Sequence, residues 1–292
     1  MHQKRDSKRI LLANDLAGIG KVALSNAIPI MACAEIETGI LPTVILSSHT
    51  GGFPDIFIDD YTRGMLGFLK QWRGLPLRYD AIVTGYLKSQ EQIDILLAFS
   101  EEAKQTGTLL IVDPIMADNG SFYSGFDQAY AEKMKVLCQS ADYLIPNISE
   151  ACILTGTELR SDARYSEAEI DRIVGKLPDF GSKRIIITGI AMRPNELGTA
   201  FYDPEAGCTD YVFTPELPHK FYGTGDLFTS ILSACAVKGI DLKRSLEFAV
   251  AWLDSCLRYT LEAGRDLRYG VLYEPFLKDF IEGIRALERE EE

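Results

Sequence analysis

The sequence predicts an α/β protein: a Rossmann-type three-layer sandwich with a mostly parallel central sheet and helices on both faces, in one domain spanning residues 1–292. Three observations predict it. Apolar runs of strand length alternate with amphipathic, helix-length stretches, the pattern of strand–helix–strand crossovers. Small, polar or acidic residues stand at the ends of the strand-like runs, where open parallel sheets hold their ligands. A two-glycine turn, Gly223-Thr224-Gly225-Asp226, opens a late apolar helix.

The elements follow in order. Arg9–Ala13 reads as the first strand and ends at Asn14-Asp15. Gly20–Glu37 reads as a helix that Pro29 must kink or break. Leu41–Ser47, β-branched and apolar, is a strand, and Asp60–Arg73 a helix. Ala81–Thr84 is a short strand before Gly85-Tyr86. Ser89–Lys104 is a helix with a Ser89/Gln92 capping box. Thr108–Val112 is a strand with Asp113 at its end, and Tyr143–Ile145 another ending at Pro146-Asn147. Ser166–Leu177 is a helix with a Ser166/Glu169 capping box, and Arg184–Thr188 a buried strand before Gly189. Leu197–Thr214 reads as a hairpin turning at Asp203–Gly207. Helices follow over Gly225–Lys238, Leu242–Leu261 and Pro275–Glu288, and Arg289–Glu292 reads as a solvated, frayed tail. No repeat, linker or low-complexity tract interrupts the chain.

Composition narrows the function. A net charge of −12 argues against nucleic-acid partners, which demand a basic face, but leaves room for a nucleotide held by a local positive field. No apolar run is long enough to span a bilayer, and the few apolar residues after the basic N-terminus are too short for a signal-peptide core. Cys33, Cys138, Cys152, Cys208, Cys235 and Cys256 are scattered, without CxxC or zinc spacing. They read as free thiols of a protein in the reducing cytoplasm.

Gly223–Asp226 is the strongest chemical signal. Glycines let backbone approach a ligand, and the helix start presents free N–H groups and a positive dipole end, which suits phosphate. An acid there conflicts with phosphate unless Asp226 acts on a hydroxyl while the backbone holds the charge developing beside it. The helix dipole is expected to depress the Asp226 pKa. Gly20-Lys21 lacks the first glycine and the Ser/Thr of a P-loop. Gly18-x-Gly20-x-x-Ala23 matches a dinucleotide fingerprint, but the acid that would hold the ribose is missing after the second strand, so a tight strand-to-helix turn is the plainer reading. Asp113-Pro114-Ile115-Met116-Ala117-Asp118 sends two carboxylates from one strand end; they suit Mg²⁺, or form an ordinary Asp-Pro turn. Asn147 and Glu150 form a capping box at a helix start, which is compatible with Glu150 ordering a metal's water shell and Asn147 meeting phosphate. His49 lies in a polar, glycine-rich loop that favours binding, and Tyr86 is either core or a ring that stacks on a substrate.

Gly223-Thr224-Gly225-Asp226, Asp113-Pro114-x-Met116-x-Asp118 and Asn147-x-x-Glu150, in this order with Leu46–Gly51, Val83–Tyr86 and Pro146–Gly156, resemble the ribokinase superfamily, and within it the pyridoxal (vitamin B6) kinases. The resemblance implies a ribokinase-like fold and ATP-dependent phosphorylation of the 5′-hydroxymethyl group of pyridoxal, pyridoxamine or pyridoxine. It makes Asp226 the base and Gly223, Thr224 and Gly225 the anion hole. Asp118 and Glu150 would serve Mg²⁺, directly or through water. Asp113, with Thr188, would lie by the phosphates and a monovalent cation such as K⁺. Asn147, Thr188, Gly189 and Thr224 would touch ATP; His49, Thr50 and Tyr86 would line the acceptor pocket. A cytoplasmic homodimer is the implied form. The chain departs from the family at Asn14-Asp15, where a serine-containing segment is common; Asn14 and Asp15 would then both face the substrate, Asp15 meeting the pyridine nitrogen or the 3-hydroxyl. It departs again at Ala117, where glycine is usual. The alternatives are a hydroxymethylpyrimidine or sugar kinase, a Rossmann oxidoreductase, and a ligand-binding protein on a kinase fold.

Overall fold

The structure, a computed structural model, describes residues 7–160, 164–177 and 184–291. In chain order its elements are β1 (Arg9–Ala17), α1 (Ala23–Cys33), β2 (Glu37–Leu46), β3 (Ile58–Asp60), α2 (Thr62–Trp72), β4 (Ala81–Thr84), α3 (Gln90–Lys104) and β5 (Leu109–Val112). Then come β6 (Ala117–Asp118), β7 (Ser121–Phe122), α4 (Gln128–Gln139), β8 (Tyr143–Leu144), α5 (Ile148–Thr155), α6 (Glu167–Lys176) and β9 (Arg184–Ile190). The chain closes with β10 (Glu196–Asp203), β11 (Cys208–Pro215), α7 (Thr224–Lys238), α8 (Leu242–Glu262) and α9 (Leu277–Glu291). These fall into two compact units.

The first unit comprises Met1–Val83, Gln105–Thr108 and Phe221–Glu292. Its strands run β4-β1-β2-β3. β1 and β2 are parallel, and the short edge strand β3 is antiparallel to β2. Ile10, Leu11 and Leu12 are buried because this sheet is covered, which is why the strand reads as a continuous apolar run. The pairing of β1 with β2 breaks register between Asn14 and Leu16: Asn14 faces Pro42, whereas Leu16 faces Ile45, so β2 carries one extra residue opposite Asp15. Helix α7 is buried along most of its length, from Leu227 to Cys235, as an apolar helix without a solvent stripe must be. The α8 and α9 helices show the amphipathic alternative, burying Leu246, Trp252, Phe280 and Ile284.

The second unit comprises Thr84–Lys104 and Leu109–Lys220, with strand order β11-β10-β9-β8-β5. β5, β8 and β9 are parallel; β10 and β11 form the expected antiparallel hairpin. Leu110, Ile111, Val112, Ile185, Ile186 and Ile187 are its buried strand core. Two of the three helix caps read from the sequence in this unit, Asn147/Glu150 and Ser166/Glu169, are complete capping boxes. At the start of α3, Gln92 N–H donates to Ser89 Oγ, and Gln92 Oε1 accepts from Lys88 N–H.

The structure corrects several boundaries. β1 continues through Ala17, so Asn14 and Asp15 lie within the strand rather than past its end. The first helix is shorter than expected and keeps Pro29 inside it. The C-terminal residues through Glu291 are helical rather than frayed, because Glu290 and Glu291 pair with Arg244 at the start of α8. β3, the β6–β7 hairpin and α4 were not expected. Of the six cysteines, Cys138, Cys152, Cys235 and Cys256 are buried, Cys33 is half-buried and Cys208 is exposed, all as free thiols. No helix among the described residues is long and apolar enough to cross a membrane.

Candidate active site

In the first unit the expected base and its neighbours come together. Gly223 is the N-cap of α7 in the left-handed conformation (φ 79°), where an L-residue is strained. Asp226 stands in the first turn, whose N–H groups have no helical acceptor. The glycines differ sharply in their surroundings. A Cβ on Gly223 would lie 2.0 Å from the Lys21 carbonyl oxygen, whereas a Cβ on Gly225 would meet no protein atom. Gly223 is therefore required by packing, and Gly225 leaves open the approach a phosphoryl group needs. Thr224 shares that turn and is half-buried.

Asp226 accepts hydrogen bonds from the Ala23 N–H at the start of α1 and from the Asn14 side chain. Ala23 holds a positive φ of 47°, uncommon for a non-glycine residue and costly enough to need support from its surroundings. The expectation that the helix end would depress Asp226 is corrected. Burial pushes its carboxyl above the usual range, outweighing the Ala23 N–H, the Asn14 amide and the His49 field, all of which pull down. A raised pKa makes Asp226 a stronger base. Asp15, 8% exposed, is pushed up to about 7, first by burial and then by the charge of Asp226. Asn14 links the two acids, since its Oδ1 accepts from the Asp15 N–H at 2.9 Å.

His49 is buried, and both its ring nitrogens are spent on the protein. Nε2 lies 2.6 Å from the Arg268 carbonyl oxygen, and Nδ1 accepts from the Gly51 N–H at 3.0 Å. Its ring packs against Phe53 and Tyr222. Thr50 is exposed on the same loop. One residue escaped the sequence reading. Asn26 is wholly buried in α1, and its Nδ2 donates to the carbonyls of Lys21 (2.9 Å) and Gly223 (3.0 Å), clamping the α7 cap to the Gly18–Lys21 turn. Its signal was a lone amide in an otherwise apolar helix.

In the second unit Glu150 is 2% exposed and organises the acidic loop. Oε1 accepts from Met116 N–H (3.0 Å) and Ala117 N–H (3.4 Å), and Oε2 from Asn147 N–H (2.8 Å). Burial, and then the charge of Asp113, holds its carboxyl well above the ordinary range, against the pull of those three N–H groups. Asn147 is also committed: Nδ2 donates to Ala117 O (2.8 Å) and Oδ1 accepts from Glu150 N–H (3.0 Å). Thr188 bridges to Asn147 along the strand direction, with its N–H on Pro146 O (3.0 Å). Gly189 is exposed, with a positive φ and no protein atom near its Cβ direction. Asp118 Oδ1 and Oδ2 accept from the backbone and side chain of Asn119. Among the described residues no three His, Cys, Asp or Glu side chains gather as a ready-made metal site. A carboxylate offers about four acceptor positions, so Glu150 has little left for direct ligation. Asp113 and Asp118 are hard oxygen donors that suit Mg²⁺ completed by water and phosphate. Tyr86 heads an aromatic row: its ring lies 5.4 Å from Phe126, which stacks on Tyr130 at 4.0 Å.

A mostly parallel α/β fold, a Gly-Thr-Gly-Asp turn opening a buried helix, and acids leaving a strand end are the parts of a small-molecule kinase. Residues 75–270 match the family model for phosphomethylpyrimidine kinase. A crystal structure provisionally described as a phosphomethylpyrimidine kinase, from Bacteroides thetaiotaomicron VPI-5482, is 31% identical with a TM-score of 0.90, covering 96% of each chain. A second, orthorhombic form was solved with pyridoxal (TM-score 0.89). Pyridoxal kinase from Lactobacillus plantarum is 29% identical with a TM-score of 0.86, over 94% of this chain and 97% of that one. The pyridoxine/pyridoxal/pyridoxamine kinase of Bordetella avium is 28% identical over 255 residues, 82% of this chain and 81% of its own. The chain belongs to the phosphomethylpyrimidine kinase family. It is an enzyme, a kinase of ribokinase-like three-layer fold, and the resemblance to pyridoxal kinases expected from its motifs is borne out.

Proposed function

We propose that the protein transfers the terminal phosphoryl group of ATP to the 5′-hydroxymethyl group of a B6 vitamer, forming pyridoxal 5′-phosphate or its pyridoxine and pyridoxamine counterparts. The observation that carries this reading is the placement of Asp226: a desolvated carboxylate, held by Ala23 N–H and Asn14, one residue after the open Gly225. Asp226 orients the acceptor hydroxyl and takes its proton as the new O–P bond forms, the modest base contribution that phosphoryl transfer needs. The N–H groups at the start of α7 hold charge developing on the transferred group. Asn147, Thr188, Gly189 and Thr224 are assigned to ATP.

Asp113 and Asp118 are assigned to Mg²⁺, with a monovalent cation such as K⁺ near Asp113 and Thr188. Bound there, Mg²⁺ would neutralise phosphate charge. Glu150 holds the loop between the two acids through Met116 and Ala117. Asp15, Thr50 and Tyr86 are assigned to the acceptor's ring, and His49 to holding the loop that carries Thr50. Residues 1–292 serve as one kinase domain, acting as a cytoplasmic homodimer.

The test is ATP consumption with pyridoxal, pyridoxamine, pyridoxine, hydroxymethylpyrimidine and ribose, with phosphorylated products identified by ³¹P NMR. Turnover of a B6 vitamer at least about tenfold above the others in kcat/KM, a difference of ~1.4 kcal/mol, is expected. Preference for hydroxymethylpyrimidine or ribose would overturn the assignment.

A further inference from the structure

Two carboxyls, the buried Asp15 and the half-buried Asp226, influence one another in the acceptor half of the site. The side chain between them is Asn14. A backbone N–H can only donate, so the Asn14 atom 2.9 Å from the Asp15 N–H is its carbonyl oxygen. That contact turns the amide NH₂ the other way, to the Asp226 carboxylate. The arrangement is unusual for a strand. Consecutive strand residues point to opposite faces, yet Asn14 bonds Asp226 and its neighbour Asp15 feels the charge of Asp226. The register break at this point, with the extra residue in β2 opposite Asp15, relaxes the pleat that would separate them.

The geometry points to Asn14 as a positioning residue: its carboxamide, oriented by the Asp15 backbone N–H, directs a donor at Asp226 and so places the negative charge on Asp226 rather than on Asp15. This rests on the kinase reading above and deepens it. Asp226 receives two donors, the Ala23 N–H and the Asn14 amide, whereas Asp15 receives only its own backbone N–H; of a coupled pair, the carboxyl with more directed donors is favoured in its ionised form. Of the groups facing Asp226, the Asn14 amide is the side-chain hydrogen-bond donor. α1 contributes the Ala23 N–H and carries no charged side chain. His49 acts on Asp226 through its field and keeps both nitrogens on Gly51 and Arg268. The Lys21 ammonium is tied to Val271 O and Glu274.

The experiment compares the parent with Asn14→Leu, which keeps the volume and removes the amide, and Asn14→Ser, which restores a hydroxyl donor. Two readouts are taken: the pH profile of kcat with the best acceptor, and titration of ¹³C-labelled aspartate carboxyls by NMR in the free protein. In Asn14→Leu the acid limb is expected to move up by about one pH unit, the size of one charge-assisted hydrogen bond. The turnover number is expected to fall about 10- to 100-fold with KM for ATP unchanged. Asn14→Ser is expected to recover part of both. NMR should show the Asp226 resonance titrating higher and the Asp15 resonance lower in Asn14→Leu. Unmoved carboxyl titrations in a variant of unchanged Tm would overturn the proposal. A rise in acceptor KM with the pH profile fixed would do so too, making Asn14 a plain substrate contact. Should Asn14→Leu fail to fold, Asn14→Ala, which also removes the amide, takes its place: Asp226 displaced upward and Asp15 downward support the proposal, and carboxyl titrations identical to the parent's overturn it. If the parent phosphorylates no acceptor, the functional reading fails, while the NMR titration still decides the role of Asn14.

Discussion

The ring of His49 donates from Nε2 to the carbonyl oxygen of Arg268 across 2.6 Å, tying the loop after β2 to the segment between α8 and α9. Because Nδ1 is spent on Gly51 N–H, the ring is a crosslink with no nitrogen left for a ligand. Gly20 is packed so tightly on the ring that a Cβ there would lie 2.3 Å from it. His49→Ala is expected to lose about 2–4 kcal/mol of stability, from the cavity and two broken hydrogen bonds. Calorimetry would read this as a Tm several degrees lower. His49→Gln, which returns an N–H near Nε2, should recover part of it. A normal Tm with a raised acceptor KM would instead make His49 a substrate contact.

Asp226→Asn keeps the shape of the base and removes its proton affinity. Turnover is expected to fall by about 10²–10⁴ while ATP binding, measured by calorimetric titration, changes little. Near-normal turnover would show that Asp226 is not the base.

For Asp15 the direction of the pH effect is set by its raised carboxyl. The folded protein binds the Asp15 proton up to about pH 7, whereas the ordinary value is 3.8. Between those values the folded state holds more protons than the unfolded, so this group's stabilisation is full below pH 3.8 and is lost as pH rises through 7. Asp15→Asn removes the loss. The variant is expected to melt on the order of 5 °C above the parent at pH 8, with the gap closing as pH falls toward 4. A gap that stays constant across that range would contradict the assignment.

The two glycines of the turn should part company. Gly223→Ala puts a methyl group against the Lys21 carbonyl in a left-handed conformation and is expected to cost about 2 kcal/mol or more of stability. Gly225→Ala meets no protein atom. It should leave Tm within a degree or two and reduce kcat at least about tenfold, because the methyl group occupies the phosphoryl approach. Equal thermal losses in both variants would assign both glycines to packing.

Glu150→Gln sets an amide NH₂ against one of three backbone N–H donors. A stability loss of about 1–3 kcal/mol is expected. Since those donors include Met116 and Ala117, between Asp113 and Asp118, the Mg²⁺ concentration for half-maximal rate should also rise. A changed Tm with an unchanged Mg²⁺ dependence would leave Glu150 as a cap alone.

Elements held by contacts within a few residues were legible. The Asn147/Glu150 and Ser166/Glu169 caps, the Ala81–Thr84 strand and the helix after Gly223 all announce themselves locally. α4 was legible too, in the Asp127 N-cap and the helical spacing of Tyr130, Met134 and Leu137. β3 and the β6–β7 hairpin are only two or three residues each and exist through pairing, so no periodicity could reveal them.

By itself the sequence determined the strand–helix alternation, hence the mostly parallel α/β fold, and the turn that marks a kinase. Both follow from backbone preferences and hydrophobic period, which neighbouring residues dictate. Only the tertiary structure decided what the polar residues do. It made His49 a crosslink, Asn14 a partner of Asp226 and Glu150 the anchor of the acidic loop, and it raised the Asp226 carboxyl against the pull of its helix end. Desolvation and directed hydrogen bonds depend on which atoms from distant parts of the chain close around a group, and that is settled only when the chain has folded.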